Sequence, residues 1–186
     1  MNILLTGANG YIGTRLLQTL QSAGHQIYCL VRDKRRLKEE NELGPNVHVI
    51  TGDLLQEESL SVFPKYIDAA YYLVHSMGNA NIDFKALEEL SAKNFVLGVE
   101  KTNCRQIIYL TGIVNDDTLS KHLSSRLSVE NILKQSKIPH TFLRAAIIIG
   151  SGSASFEIIR DLTEKLPIMI APKWLKTKCQ PIAIRD

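Results

Sequence analysis

The sequence predicts an α/β fold, a doubly wound parallel sheet with helices on both faces, and three observations predict it. Short β-branched runs alternate with amphipathic stretches, a glycine-rich turn joins the first run to the first helix, and one central run is nearly unbroken in apolar character. Taken in order, the first strand is Asn2 to Thr6. A helix from about Tyr11 to Ser22 follows, with Ile12, Leu16, Leu17 and Leu20 on one face and Gly24 as its C-terminal stop. Strands at Gln26 to Val31, Val47 to Thr51 and Ala69 to Val74 come next, the last apolar on both faces as a central parallel strand requires. A long helix from about Ile82 to Asn103, a strand at Ile107 to Thr111, a helix at Leu119 to Gln135 and a strand at Thr141 to Ala145 nearly complete the alternation.

The texture changes after Gly150. Ser151 to Ala154 reads as a loop, Phe156 to Lys165 as a helix, and Pro167, Pro172 and Pro181 punctuate the remainder. We therefore expect residues 1–150 to form a nucleotide-binding domain and residues 151–186 to be part of a smaller substrate-binding region. The abrupt end at Asp186, with no cap or polar tail, suggests a longer natural chain.

Composition narrows the function classes. The 186 residues are 45% hydrophobic and 22% charged, ordinary globular values, and the net charge of +3 comes from 22 basic against 19 acidic residues. That balance gives no support for a nucleic-acid partner. The three cysteines, Cys29, Cys104 and Cys179, are far apart and form no C-x-x-C pair, which reads as reduced thiols in the cytoplasm. Strand-like sequence starts directly after Met1 and no apolar run approaches about 18 residues, so neither export nor membrane spanning is expected. A small-molecule substrate is the expected partner, and oligomeric state stays open.

Chemistry is concentrated in Thr6-Gly7-Ala8-Asn9-Gly10-Tyr11-Ile12-Gly13, between the first strand and the first helix. Gly7 permits the tight turn, Gly10 lets the backbone approach a pyrophosphate, and Gly13 lets helix and strand pack closely, while the helix N-terminus offers free N–H donors. Gly7, Asn9, Gly10, Tyr11, Ile12 and Gly13 are thus candidate dinucleotide-binding residues. At the end of the second strand, where an acidic side chain would grip the 2′-hydroxyl of NAD, stand Val31 and Arg32, with Lys34, Arg35 and Arg36 beyond. An arginine there pairs with a 2′-phosphate, which points to NADP, with NAD as the alternative. The run from Lys34 to Lys38 is equally well read as a solvated helix start balanced by Glu39 and Glu40.

The G-x-x-G-x-x-G spacing resembles the short-chain dehydrogenase/reductase superfamily in its extended and atypical branches. Gly52-Asp53, Tyr72-Leu73-Val74-His75 and Tyr109-Leu110-Thr111-Gly112 add to the resemblance. Phe142-Leu143-Arg144 and Ile149 to Phe156 make it similar to the NmrA-like and nucleoside-diphosphate-sugar epimerase-like proteins. The resemblance implies that Asp53 meets the adenine amino group and that Leu54 and Leu73 lie beside the cofactor. It also implies a serine or threonine after the fifth strand and a Y-x-x-x-K pair on the next helix. Thr111 fits the first position, but His122 and Arg126 stand in the pair's places, four residues apart on one helical face. Thr111, His122 and Arg126 are the candidate catalytic set, the imidazole donating a proton and Arg126 holding ribose hydroxyls. Arginine's permanent charge works against a protonated His122. Tyr11 and Tyr109 lie outside the motif.

Two functions follow: an NADP-dependent oxidoreductase or epimerase-like enzyme acting on a carbonyl or alcohol carbon, or an NADP-sensing regulator or assembly factor without turnover. Other chemistries find no support. Gly150 to Ala154 lacks the G-x-S-x-G nucleophile elbow. His25, His48, His75 and His140 have no carboxylate at metal-ligating spacing, and Trp174, beside Lys173 and Lys176, reads as a packing anchor.

Overall fold

Alternation along the strands decides which face of the sheet each side chain serves. In the computed structural model, which describes residues 1–37, 43–75, 84–113, 120–166 and 179–186, β1 (Asn2–Thr6) sends Ile3 and Leu5 to one core and Leu4 to another. The first of these cores is closed by α1 (Tyr11–Ser22) through Leu17 and Leu20, packed with Ile27, Cys29 and Val31 of β2 (Gln26–Val31). A 3-10 turn over Lys34–Arg36 follows β2, with Asp33 accepting from the Arg35 amide at 3.0 Å. Next come β3 (Val47–Thr51), a 3-10 helix over Glu57–Val62, β4 (Tyr66–Ile67) and β5 (Ala69–Tyr72).

The opposite core gathers Leu4, Ala70, Tyr72, Ile107 and Tyr109 beneath α2 (Phe84–Glu100), which contributes Ala92, Phe95 and Val99. Beyond α2 lie β6 (Asn103–Cys104), β7 (Ile107–Gly112), α3 (Lys121–Lys134) with Val129 and Leu133 in the same core, and β8 (His140–Ala145). The central sheet has six strands in the order β3-β2-β1-β5-β7-β8. The registers of β2 on β3, β1 on β2, β1 on β5 and β5 on β7 are all parallel, the order of a doubly wound nucleotide-binding fold. The chain reverses direction across the sheet between β1 and β5. A crevice therefore opens beyond their carboxyl ends, where Gly7 follows β1 and Leu73 follows β5.

Several elements end elsewhere than the sequence suggests. The strand expected to run to Val74 stops at Tyr72, because the Leu73 amide turns to the Thr6 hydroxyl at 3.3 Å and that hydroxyl donates to the Tyr71 carbonyl at 3.0 Å. Residues 73–75 are thereby freed from the sheet. The long helix ends at Glu100, where Thr102 turns back on the Val99 carbonyl, and Asn103 enters β6, which pairs with β4 in a small parallel sheet.

The chain divides into two compact units, Met1–Leu143 and Arg144–Asp186. In the second, β9 (Ile147–Ile149) pairs in parallel with β10 (Pro181–Ala183), and α4 (Ala154–Lys165) begins after Ser153. Its start lies ahead of Phe156 because the Glu157 amide already bonds the Ser153 carbonyl at 2.8 Å. Trp174, Lys173, Lys176 and the stretch Lys38 to Glu40 lie outside the described residues.

Candidate functional site: a dinucleotide cleft

Gly7 turns the chain at the end of β1 with φ at 73°, a left-handed conformation that costs glycine little. A side chain here would collide with backbone: a Cβ on Gly7 would lie 2.6 Å from the Leu73 carbonyl oxygen. On Gly13 it would lie 2.0 Å from the Gly7 carbonyl oxygen, so helix and turn meet as closely as glycine alone permits. Gly10, by contrast, would meet only the Gly7 carbonyl oxygen, at 3.3 Å, and its face of the turn is open to the cleft it lines. No side chain caps α1 at Gly10, so the first-turn amides face outward at the positive end of the helix. A pyrophosphate fits this cradle by shape and by charge.

On one side of the turn is a cavity of about 260 Å³ lined by Gly7, Asn9, Gly10, Arg32, Asp53, Leu54 and Leu73, among others. The expected adenine-side residues thus meet in one place. Arg32 is exposed, and among the described residues it makes no ion pair, whereas Arg35 is held by Asp33 through a 2.7 Å contact. The ambiguity of the basic run is resolved for Arg35, which faces a carboxylate; Lys38 is not among the described residues. Asp53 accepts the Leu55 amide at 3.0 Å, and its own amide donates to the Ser59 hydroxyl at 2.8 Å, which fixes the loop after β3. The buried Asn94 amide holds the Leu54 carbonyl at 2.7 Å from behind.

On the other side is a cavity of about 280 Å³ that Tyr11, Ile12, Gly13, Leu73, Val74, His75, Tyr109, Leu110 and Arg126 line. Tyr11 and Tyr109, outside the motif in sequence, are inside this cleft. Burial pushes the Tyr109 phenol above its ordinary pKa, with Arg126 and the Thr111 hydroxyl pulling it back. Of the three candidate catalytic residues, Arg126 alone lines the cavity, its guanidinium donating to the Leu110 carbonyl at 3.4 Å. Thr111 is 3% exposed and lies on the Tyr109 face of β7, within the core. His122 is exposed, its ring 6.2 Å from that of His75 and 5.8 Å from that of Phe84.

His75 is the residue that sequence reasoning passed over. It lines both cavities, and its Nδ1 lies 2.5 Å from the Oε1 of Glu88, a carboxylate 4% exposed in α2. The other carboxylate oxygen accepts the hydroxyl of the fully buried Ser125. The available signal was the position of His75, three residues past the end of β5 at the reversal of the sheet. Among the described residues no cluster of three His, Cys, Asp or Glu side chains is arranged for a metal, and no helix is long and apolar enough to cross a membrane.

Comparisons with known proteins identify the family and the fold. A family model described as NAD(P)H-binding matches residues 7–168. Among curated proteins, the photosystem II assembly factor Ycf39 of Trieres chinensis is 22% identical over 174 residues, covering 91% of this chain and 52% of its own length. This chain thus spans about half the length of that relative. Among solved structures, the Bordetella bronchiseptica enzyme WbmG in complex with NAD superposes with a TM-score of 0.71 at 18% identity, over 88% of this chain and 59% of its own. The triphenylmethane reductase of a Citrobacter species gives a TM-score of 0.66 at 23% identity, over 80% and 50%. These two likenesses are of fold.

Proposed function

We propose, from the premise that the chain belongs to the NAD(P)H-binding family, that it is an NADP-dependent oxidoreductase or epimerase-like enzyme of the atypical short-chain dehydrogenase/reductase type. Its substrate is a small molecule with a carbonyl or alcohol carbon, and its compartment the cytoplasm, where Cys29, Cys104 and Cys179 stay as the free thiols they are here. The observation that carries the NADP reading is the Arg32 guanidinium, which lines the adenine-side cavity and has no carboxylate paired to it among the described residues.

Gly7, Asn9, Gly10, Tyr11, Ile12 and Gly13 hold the pyrophosphate on backbone amides, Arg32 takes the 2′-phosphate in a forked, charge-assisted contact, and Asp53, Leu54 and Leu73 frame the adenine half. Bound NADPH supplies the hydride. Arg126 offers its guanidinium to oxygen atoms in the second cavity, and Thr111 acts from behind by setting the Tyr109 phenol that forms its wall. An imidazole lining that cavity, His75, is placed to handle the proton, whereas the exposed His122 stands outside it.

A second reading, a dinucleotide-sensing assembly factor or regulator, is favoured by the likeness to Ycf39 and by the burial of Thr111. The two separate in one assay: reduced-nicotinamide absorbance is followed with a panel of aldehydes, ketones and nucleotide sugars. An enzyme consumes NADPH with at least one of them. Saturable NADPH binding without consumption across the panel favours the sensor.

A further inference from the structure

We infer that His75, positioned by Glu88 and Ser125, is the side chain that exchanges a proton with the substrate in the second cavity. The inference rests on the oxidoreductase reading above and assigns its acid–base group. A carboxylate buried to the extent of Glu88 is costly unless its oxygens are satisfied. Here one oxygen takes the Ser125 hydroxyl and the other faces His75 Nδ1 at 2.5 Å. With Nδ1–H donated to that carboxylate, the neutral ring is fixed as one tautomer, and Nε2 carries the lone pair. His75 lines both cavities and its side chain is 21% exposed, and Nε2 is the ring nitrogen that Glu88 leaves for the cleft.

His122 lacks this arrangement. It lines neither cavity and is exposed, its ring meeting those of His75 and Phe84 edge-on. Among the described residues, the titratable and charged groups around His75 are Glu88 from α2, His122 and Arg126 from α3, Tyr109 from β7, Tyr11 from α1 and Asp53 after β3. Of these Glu88 alone bonds the ring. In the reductive direction the carbonyl carbon gains a hydride from the nicotinamide cofactor, whose ring is oxidised. The carbonyl oxygen gains the proton from Nε2–H of His75 in its imidazolium form, and the neutral Nδ1–H imidazole left behind regains a proton on Nε2 from solvent.

The test uses the intact chain. His75→Gln should keep NADPH affinity within about twofold and lower kcat by about 10²- to 10⁴-fold, the scale for losing a positioned acid. Imidazole added to the buffer should restore part of the activity of His75→Ala. Nitrogen NMR of the unmodified protein should show neutral His75 protonated on Nδ1, and Glu88→Gln should weaken that tautomer preference and lower kcat while leaving NADPH affinity in place. Turnover undiminished in His75→Gln, or a neutral His75 protonated on Nε2, overturns the assignment while the oxidoreductase reading stands. Should His75→Gln fail to fold, the tautomer and the kcat of Glu88→Gln still decide. Absence of NADPH consumption by the unmodified protein overturns the oxidoreductase reading, and the assignment with it.

Discussion

Gly7 and Gly24 share a left-handed backbone, with φ at 73° and 76°, but differ in what surrounds them. At Gly24 a Cβ would meet nothing within 4 Å, whereas at Gly7 it would lie 2.6 Å from the Leu73 carbonyl oxygen and 2.8 Å from the carbonyl carbon. Alanine at either site bears the left-handed cost of about 1–2 kcal/mol. Gly7→Ala adds an overpacking cost of about 1–3 kcal/mol, because the atoms in the way are backbone and cannot rotate aside. Gly24→Ala should therefore lose about 1–2 kcal/mol and Gly7→Ala about 2–5 kcal/mol in urea unfolding, with Tm falling roughly 2–4 °C per kcal/mol in a chain of this size. Binding separates the two further. The Leu73–His75 segment that must move lines both cavities, so Gly7→Ala should weaken NADPH at least about tenfold, equivalent to about 1.4 kcal/mol, while Gly24→Ala leaves it unchanged. Equal losses of stability and equal NADPH affinities in the two variants would refute the reasoning.

Thiol chemistry and acid stability give two further expectations. Burial pushes the Cys29 thiol up to about 12, so a thiol reagent at mild alkaline pH should modify the exposed Cys179 first and Cys29 only on unfolding, read by mass spectrometry against time. Asp68 lies below the usual carboxylate range because it accepts the Asn2 amide at 2.8 Å and pairs with Arg105. A depressed carboxylate stabilises the fold above its unfolded pKa, and that stabilisation is lost as pH falls through the folded value. Asp68→Asn should therefore narrow the gap between urea midpoints at neutral pH and near about pH 3. A gap unchanged by the substitution would remove Asp68 from the acid response.

The glycine turn and the strand order were legible because both are local: periodicity and turn chemistry act over a few neighbouring residues. Gly7, Gly10 and Gly13 needed only their place between a strand and a helix to be understood. The side-chain network behind the second cavity is different in kind. His75, Glu88 and Ser125 are separated by 13 and 37 residues and meet only once β5, α2 and α3 are packed, and in sequence Glu88 beside Glu89 looks like an ordinary solvated helix face. Strand parity carries a usable signal that spacing alone misses. Thr111 lies two residues from the core residue Tyr109, so it shares that inward face of β7. Arg35 shows the limit of charge counting, since its partner Asp33 is only two residues away and leaves Arg32 as the guanidinium lining the adenine-side cavity.

Calorimetric titration of the chain with NADPH and with NADH in the same buffer tests the dinucleotide assignment most directly. One site per chain is expected, with NADPH tighter by the worth of one charge-assisted contact, about 1.5–3 kcal/mol, and with that order reversed in Arg32→Asp. Saturation with neither nucleotide, or NADH bound as tightly as NADPH by the unmodified protein, would contradict it.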